Sequence, residues 1–159
     1  MDLTFHLEDT ASTEALGRGL ALTRPPLAVV YLRGDLGAGK STLARALLRA
    51  LGVEGTIRSP TYTLVERYPL AEGREAWHLD LYRIADPGEL EYLGLDGELV
   101  SLWLVEWPEK GAGALPMADL VVDLAIDGDG RRARVQAGST IGRSWLSKMG
   151  TEVPFAPDS

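Results

Sequence analysis

The run Gly34-Asp35-Leu36-Gly37-Ala38-Gly39-Lys40-Ser41-Thr42 constrains this chain more than any other stretch of it. It has the spacing of a nucleotide-binding phosphate loop: a glycine, four residues, then Gly-Lys-Ser/Thr. The apolar run Leu27-Ala28-Val29-Val30-Tyr31-Leu32 before it reads as a buried strand, and residues 41–51 after it as a helix. The glycines let successive backbone N–H groups turn inward around phosphate oxygens, and the helix N-terminal dipole adds to the attraction. Gly37, Ala38, Gly39, Lys40, Ser41 and Thr42 are therefore the candidate phosphate site. Lys40 would reach the β- and γ-phosphates, and the Ser41 hydroxyl would ligate Mg²⁺.

At 159 residues the chain fits one domain with a sizeable core. No apolar run approaches the roughly 20 residues of a membrane span, and Met1-Asp2 opens without the basic region of a signal peptide, so a cytoplasmic protein is expected. Without cysteine there are neither disulfides nor thiolate metal sites. A net charge of −7, with lysine only at positions 40, 110 and 148, argues against a chain that grips nucleic acid by itself.

Along the chain, residues 3–7 suggest a short strand, and Thr10 or Ser12 can cap a following helix that must stop before Pro25-Pro26. Residues 62–70 and 75–83 read as a hairpin. In its second arm Trp77, Leu79 and Leu81 share one face; His78, Asp80 and Tyr82 share the other. Asp86-Pro87 starts a helix that carries Leu90 inward and ends near Gly94. The apolar run 102–105 is a strand ending in Glu106, and 120–126 and 133–137 are two more strands joined across Asp127-Gly128-Asp129-Gly130. Residues 1–142 are expected to form the nucleotide-binding domain, and 143–159 a short helix with a loose tail. The fold class is α/β, a single domain whose mixed sheet has a parallel core, antiparallel additions and flanking helices.

Hydrolysis needs more than a phosphate loop: a magnesium anchor and a positioned water, usually supplied by an acidic residue at the end of a core strand. Glu106 fits that place, against the alternative of a strand-end carboxylate in solvent. Asp80, flanked by Leu79 and Leu81, is the second candidate, although alternation on a half-solvated strand also produces this pattern. Thr61, in Ser59-Pro60-Thr61, lies where a switch threonine would sense the γ-phosphate, or else in an ordinary Ser-Pro turn. Trp107 either packs near the nucleotide or anchors the core. His6 and His78 have no partner at ligand spacing and read as surface or strand-packing residues. The chain has no asparagine, so the Asn-Lys-x-Asp guanine motif is absent, and its one glutamine, Gln136, lies in a late strand. Adenine nucleotide is expected.

Four motifs in register, the glycine-rich run, Ser59-Pro60-Thr61-Tyr62-Thr63-Leu64, His78-Leu79-Asp80-Leu81-Tyr82-Arg83 and Glu106-Trp107-Pro108-Glu109, resemble the TsaE (YjeE) family of bacterial ATPases needed for threonylcarbamoyladenosine modification of tRNA. The resemblance covers about residues 3–137. It implies that Asp80 and Glu106 serve the Mg²⁺ and hydrolysis site with Lys40, that Thr61 belongs to a switch, and that Trp107 lies near the ATP. It further implies that Thr10 and Arg131 lie near the adenosine, with Arg132 or Arg134 reachable by a small shift in alignment. Serine stands at position 41 where the family commonly has threonine. The implied activity is ATP hydrolysis that resets a TsaB–TsaD heterodimer in support of threonylcarbamoylation of adenosine 37 in tRNA. Two rivals are a small-molecule phosphotransferase, for which residues 109–117 offer no arginine lid, and a nucleotide-dependent binding module that would not need Asp80 or Glu106.

Overall fold

The protein was analysed as a computed structural model, which describes residues 1–60, 63–94 and 97–152. Seven strands form one sheet in the order β1-β7-β6-β2-β5-β4-β3. They are β1 (Asp2–Leu7), β2 (Ala28–Arg33), β3 (Val65–Pro69), β4 (Glu75–Asp80), β5 (Val100–Glu106), β6 (Leu120–Asp127) and β7 (Gly130–Ala137). The four central strands, β6-β2-β5-β4, run parallel. Antiparallel pairing adds β7 and β1 on one side and β3 on the other. This is the mixed sheet with a parallel core that the strand–loop–helix unit implied.

Three helices, α1 (Thr10–Thr23), α2 (Lys40–Ala50) and α3 (Thr140–Glu152), contribute to the main core. Leu16 and Leu20 of α1, Leu43, Leu47 and Leu48 of α2, and Trp145, Leu146 and Met149 of α3 are buried in one cluster with Val30, Leu32, Leu102, Leu104 and Val122 of the sheet. Helices α1 and α2 approach closely at Gly17, where a Cβ would stand 2.8 Å from that of Ala46. A second cluster, Trp77, Leu79, Leu81, Ile84, Leu90, Val100 and Val105, fills the space beneath the 3₁₀ helix Pro87–Leu93.

Several local expectations shift. The cap of α1 is Asp9, not Thr10 or Ser12: its carboxylate accepts from the Ser12 N–H at 2.9 Å and the Ser12 hydroxyl at 2.8 Å. Aspartate satisfies an orphan amide of the first turn as well as a hydroxyl would. Both hairpin arms are shorter than expected, beginning at Val65 and ending at Asp80, after which the Leu81 N–H donates to the Glu106 carbonyl at 3.1 Å. The segment from Pro87 is 3₁₀, capped by Asp86 through the Gly88 N–H at 2.9 Å and closed by Gly94 in the left-handed region. Strand β7 starts at Gly130 instead of Ala133, because its first three residues pair with β1 and β6.

The last helix begins three residues earlier than 143 because Ser139 caps it. The Ser139 hydroxyl accepts from the Gly142 N–H at 3.0 Å and donates to Asp119 at 2.7 Å. Trp145, 1 % exposed, donates its indole N–H to the Thr23 hydroxyl at 3.0 Å, tying α3 to the end of α1. We expect Trp145→Ala to destabilise the protein by about 3–5 kcal/mol, the range for emptying a buried aromatic site. A urea melt followed by far-UV circular dichroism checks it; a loss below about 1 kcal/mol would mean that α3 is peripheral.

Candidate functional site

Parallel pairing brings three strand ends to one edge of the sheet. Leu32 of β2 is paired with Glu106 of β5, and Glu106 with Asp80 of β4. The chain leaves β2 through Gly34, at φ 143°, where any Cβ would run into the Leu124 carbonyl oxygen. Gly39, at φ 107°, then turns the backbone into α2 and offers no side chain to cap it. The first amides of α2 therefore face the adjoining pocket without an intrahelical partner, a ready anion site. The Ala38 N–H is engaged within the loop, donating to the Asp35 carbonyl at 3.1 Å, and the Ala38 side chain is buried.

Lys40 is 5 % exposed. Its ammonium donates to the Gly34 carbonyl and, at 3.1 Å, to that of Asp35, and it lies 4.6 Å from the centre of the Trp107 ring. The lysine is thus folded back along its own loop and satisfied there. Trp107 sits in the left-handed region at φ 58°, a costly place for a large residue, and its ring packs 4.9 Å from that of Tyr82. It lines the phosphate-side pocket as well as the core edge.

The two carboxylates are deeply placed. Glu106 is 3 % exposed and Asp80 8 %. The Ser41 hydroxyl lies 3.3 and 3.4 Å from the two Glu106 oxygens. Asp80 accepts from the Tyr82 N–H at 3.1 Å. Burial holds the Asp80 carboxyl above the usual carboxylate range; the Tyr82 N–H opposes this, the Glu106 charge adds to it, and His78 and Lys40 oppose it. Solvation of Asp80 and Glu106 as ordinary strand-end carboxylates is excluded by this burial.

His78 is the residue the sequence reading undervalued. It is no surface histidine: it is 2 % exposed, and its Nε2 lies 2.6 Å from Glu106 Oε2. The signal was the alternation that put His78 on the Asp80 face; the partner, 28 residues away, follows only from the β4–β5 register. His6, by contrast, is half exposed, 3.7 Å from Asp127.

Lys40, Ser41, Thr42, Asp80, Glu106 and Trp107 line one pocket of about 310 Å³ together with Gly37 and Gly39. An adjoining pocket of about 310 Å³ shares Gly37, Gly39 and Thr42 and adds Thr10, Asp129 and Arg131. Arg131 donates to the Gly37 carbonyl at 3.1 Å, whereas Arg132 and Arg134 pair with Asp127 and Asp2 at 3.0 and 2.7 Å. Of the three arginines, Arg131 is the one at this site. Thr61 lies outside the described residues. A larger cavity, about 970 Å³, touches this region only through the glycine-loop residues Gly34 and Asp35 and through Trp107. It contains neither Ser41 nor either carboxylate, so the chemistry belongs to the smaller pockets.

Among the described residues, no three His, Cys, Asp or Glu side chains form a metal cage of their own. A hydroxyl beside two buried carboxylates instead suits an oxygen-preferring cation that keeps waters and shares ligands with a phosphate. Burial and the Glu106 charge both disfavour ionisation of Asp80 in this pocket, which is the environment a divalent cation would relieve. Among the described residues, no helix is long and apolar enough to cross a membrane.

The chain resembles known proteins over most of its length. The family profile described as "Threonylcarbamoyl adenosine biosynthesis protein TsaE" matches residues 7–134. The tRNA threonylcarbamoyladenosine biosynthesis protein TsaE of Haemophilus influenzae is 42% identical over 152 residues, covering 91% of this chain and 96% of that one. The protein of the same name from Aquifex aeolicus is 36% identical over 132 residues, covering 81% and 92%. The crystal structure of Bacillus subtilis YdiB superposes with a TM-score of 0.75 at 25% identity, covering 94% of this chain and 95% of that one. With the profile spanning the glycine loop, both carboxylate strands and Arg131, this chain belongs to the TsaE family, whose members are named for tRNA threonylcarbamoyladenosine biosynthesis.

Proposed function

We propose that this chain is a Mg²⁺-dependent ATPase that binds a TsaB–TsaD complex and supports threonylcarbamoylation of adenosine 37 in tRNA. The observation that carries the reading is the convergence of Ser41, Asp80 and Glu106 with Lys40 on the pocket at the N-terminus of α2. A pure binding module needs the loop but gains nothing from two buried carboxylates, which cost stability. The pathway and the partners rest on family membership, and the net charge of −7 suits a protein that reaches tRNA through others.

In this reading the loop amides and the start of α2 hold the phosphates, and Thr10 and Arg131 border the nucleoside end. Lys40 leaves the Gly34 and Asp35 carbonyls to meet the β- and γ-phosphates. Ser41 and Asp80 would hold the cation, and Glu106 would either share in this or align the attacking water. Bound Mg²⁺ supplies charge neutralisation on the phosphate oxygens. Trp107, within reach of Lys40, loses or changes that contact when the lysine swings, so its fluorescence should report nucleotide binding.

Lys40→Ala should reduce ATP turnover by at least about 100-fold, the scale for a lost charge-stabilising donor. Glu106→Ala and Asp80→Ala should each lower it by at least about tenfold, roughly 1.4 kcal/mol of barrier, with much smaller changes in nucleotide affinity. Steady-state assays with TsaB and TsaD present, with and without candidate phosphate acceptors, check all three. Wild-type turnover in the Glu106 and Asp80 variants would refute the roles given to these carboxylates; no turnover by the unaltered chain with TsaB and TsaD present would leave a binding module, and product phosphate on an acceptor would make it a phosphotransferase. Competition binding at equal Mg²⁺ should favour ATP over GTP, and tighter GTP binding would defeat the adenine assignment.

Asp80 also makes a stability prediction whose sign follows from its raised pKa. A carboxyl that ionises less readily when folded weakens the fold wherever it is ionised. Its destabilisation is complete above the raised folded value and vanishes as pH falls below the ordinary carboxylate value. Asp80→Asn, which keeps an acceptor for the Tyr82 N–H, should therefore raise the nucleotide-free Tm at pH 7 while lowering turnover. The gain should shrink toward zero as pH falls from above the raised folded value to below the ordinary carboxylate value, as the wild-type carboxyl protonates. Calorimetry across that range checks it, and an unchanged or lower Tm at pH 7 would refute it.

A further inference from the structure

His78 is buried, 2 % exposed, in a strand position where an apolar side chain would suit the core better. On its face of β4 it stands between Ala76 and Asp80, and its cross-strand partner is Leu104. One ring nitrogen, Nδ1, has no hydrogen-bond partner among the described residues. A buried polar atom left unpaired costs stability, so packing alone does not explain a histidine here. The other nitrogen makes one contact, at 2.6 Å, with Glu106 Oε2. A carboxylate can only accept, so Nε2 donates, and the bond is charge-assisted and short.

We propose that His78 is a positioning residue: through Nε2 it fixes the Glu106 carboxylate in the orientation that serves the reaction. This inference rests on the hydrolytic reading of the same pocket. Glu106 has two neighbours among the described residues that can donate to it, His78 at 2.6 Å and the Ser41 hydroxyl at 3.3 and 3.4 Å. The Ser41 contacts are long and are the ones a cation on that hydroxyl would displace. Among these contacts His78 is then the one that persists while the pocket fills, and it anchors Oε2 while leaving Oε1 with only the 3.4 Å Ser41 contact. Without it the carboxylate is free to rotate toward Ser41 or toward Asp80. Because His78 does not line the pocket, its loss acts on turnover and not on the phosphate grip of the loop.

Three substitutions separate positioning from packing. In His78→Gln the side-chain amide nitrogen reaches about as far as Nε2 and can still donate to Glu106. In His78→Asn the amide stops short, near Nδ1, and His78→Leu removes the donor while keeping an apolar filler. With TsaB and TsaD present, Asn and Leu should lower kcat about tenfold or more, the range for lost outer partners of a ligand, while Kd for ATP, read from Trp107 fluorescence, moves less than about twofold. Gln should recover most of the rate. The double variants His78→Asn/Glu106→Ala and His78→Leu/Glu106→Ala should be no slower than Glu106→Ala alone, because His78 acts through Glu106.

Full turnover in both His78→Asn and His78→Leu, alongside a slow Glu106→Ala, would overturn the positioning role and leave the hydrolytic site standing. Rates in the double variants that multiply the two single losses would overturn it as well. Full turnover in Glu106→Ala would overturn both readings together. Should thermal melts show that His78→Leu does not fold, the Asn and Gln pair decides: equal rates in the two refute the proposal, and a fast Gln with a slow Asn supports it.

Discussion

The register of three parallel strands governs this site. Leu32 lies beside Glu106 and Glu106 beside Asp80, so the glycine loop, the buried glutamate and the buried aspartate emerge at the same level. A slip of one residue in β5 would send Glu106 to the opposite face, away from Ser41, because successive side chains alternate. The register is held by the apolar residues on the same face, Val30, Leu32, Leu102 and Leu104, each fully buried beneath the helices. The core that stabilises the domain and the alignment that forms the pocket are therefore one set of contacts. A mutation at Leu104 would be felt at Glu106 without touching it.

Four ionisable side chains share the buried end of that sheet, Lys40, His78, Asp80 and Glu106. They are satisfied unequally. Lys40 has two backbone carbonyls and an aromatic face, and Glu106 has the His78 ring. Among the described residues Asp80 accepts from one backbone amide, and burial, with the Glu106 charge adding to it, holds its carboxyl above its ordinary range. The deficit of positive charge falls on the pocket that Asp80 and Ser41 both line. An arrangement that is uncomfortable when empty is suited to a cation, since the desolvation already incurred need not be incurred again on binding.

What could be read in the chain without coordinates followed from local rules. The glycine loop, its flanking strand and helix, the apolar run ending in Glu106 and the face shared by His78 and Asp80 all show as spacing or alternation. Long-range placement could not be read that way. Nothing near Asp2–Leu7 reveals that this strand pairs with Gly130–Ala137 at the far end of the chain. His78 looked ordinary because its partner comes from another strand. Thr10 and Ser12 looked like caps because hydroxyls favour that role, but Asp9 precedes them and takes both bonds. Residue 143 looked like the start of the last helix because the apolar positions Trp145, Leu146 and Met149 cluster after it, whereas the cap that decides it, Ser139, is held by Asp119 from β6's approach. Arg131 could not be told from Arg132 and Arg134 until alternation along β7 sent its neighbours to Asp127 and Asp2.

Stability and chemistry are divided across the sheet. Among the described residues, every buried carboxylate, lysine and histidine lies on β4, β5 or the start of α2. The half built from β1, β7, β6 and α3 buries Phe5, Leu7, Leu120, Val122, Ala133, Val135, Trp145, Leu146 and Met149, with no ionisable group among its buried residues. That half needs no cation and no nucleotide to be content, and it is continuous with the helices that hold β2 and β5 in place. It offsets the strain of the other: a left-handed Trp107, a buried aspartate whose carboxyl is held above its ordinary range, and a histidine with one nitrogen unpaired among the described residues. Burial of about 25 cal/mol per Å² over several large side chains is enough to carry a few such unfavourable features within one cooperative domain. This is why the strand-end cluster can be tuned for phosphate chemistry instead of for packing, and why substitutions there are expected to change rate more than they change the fold.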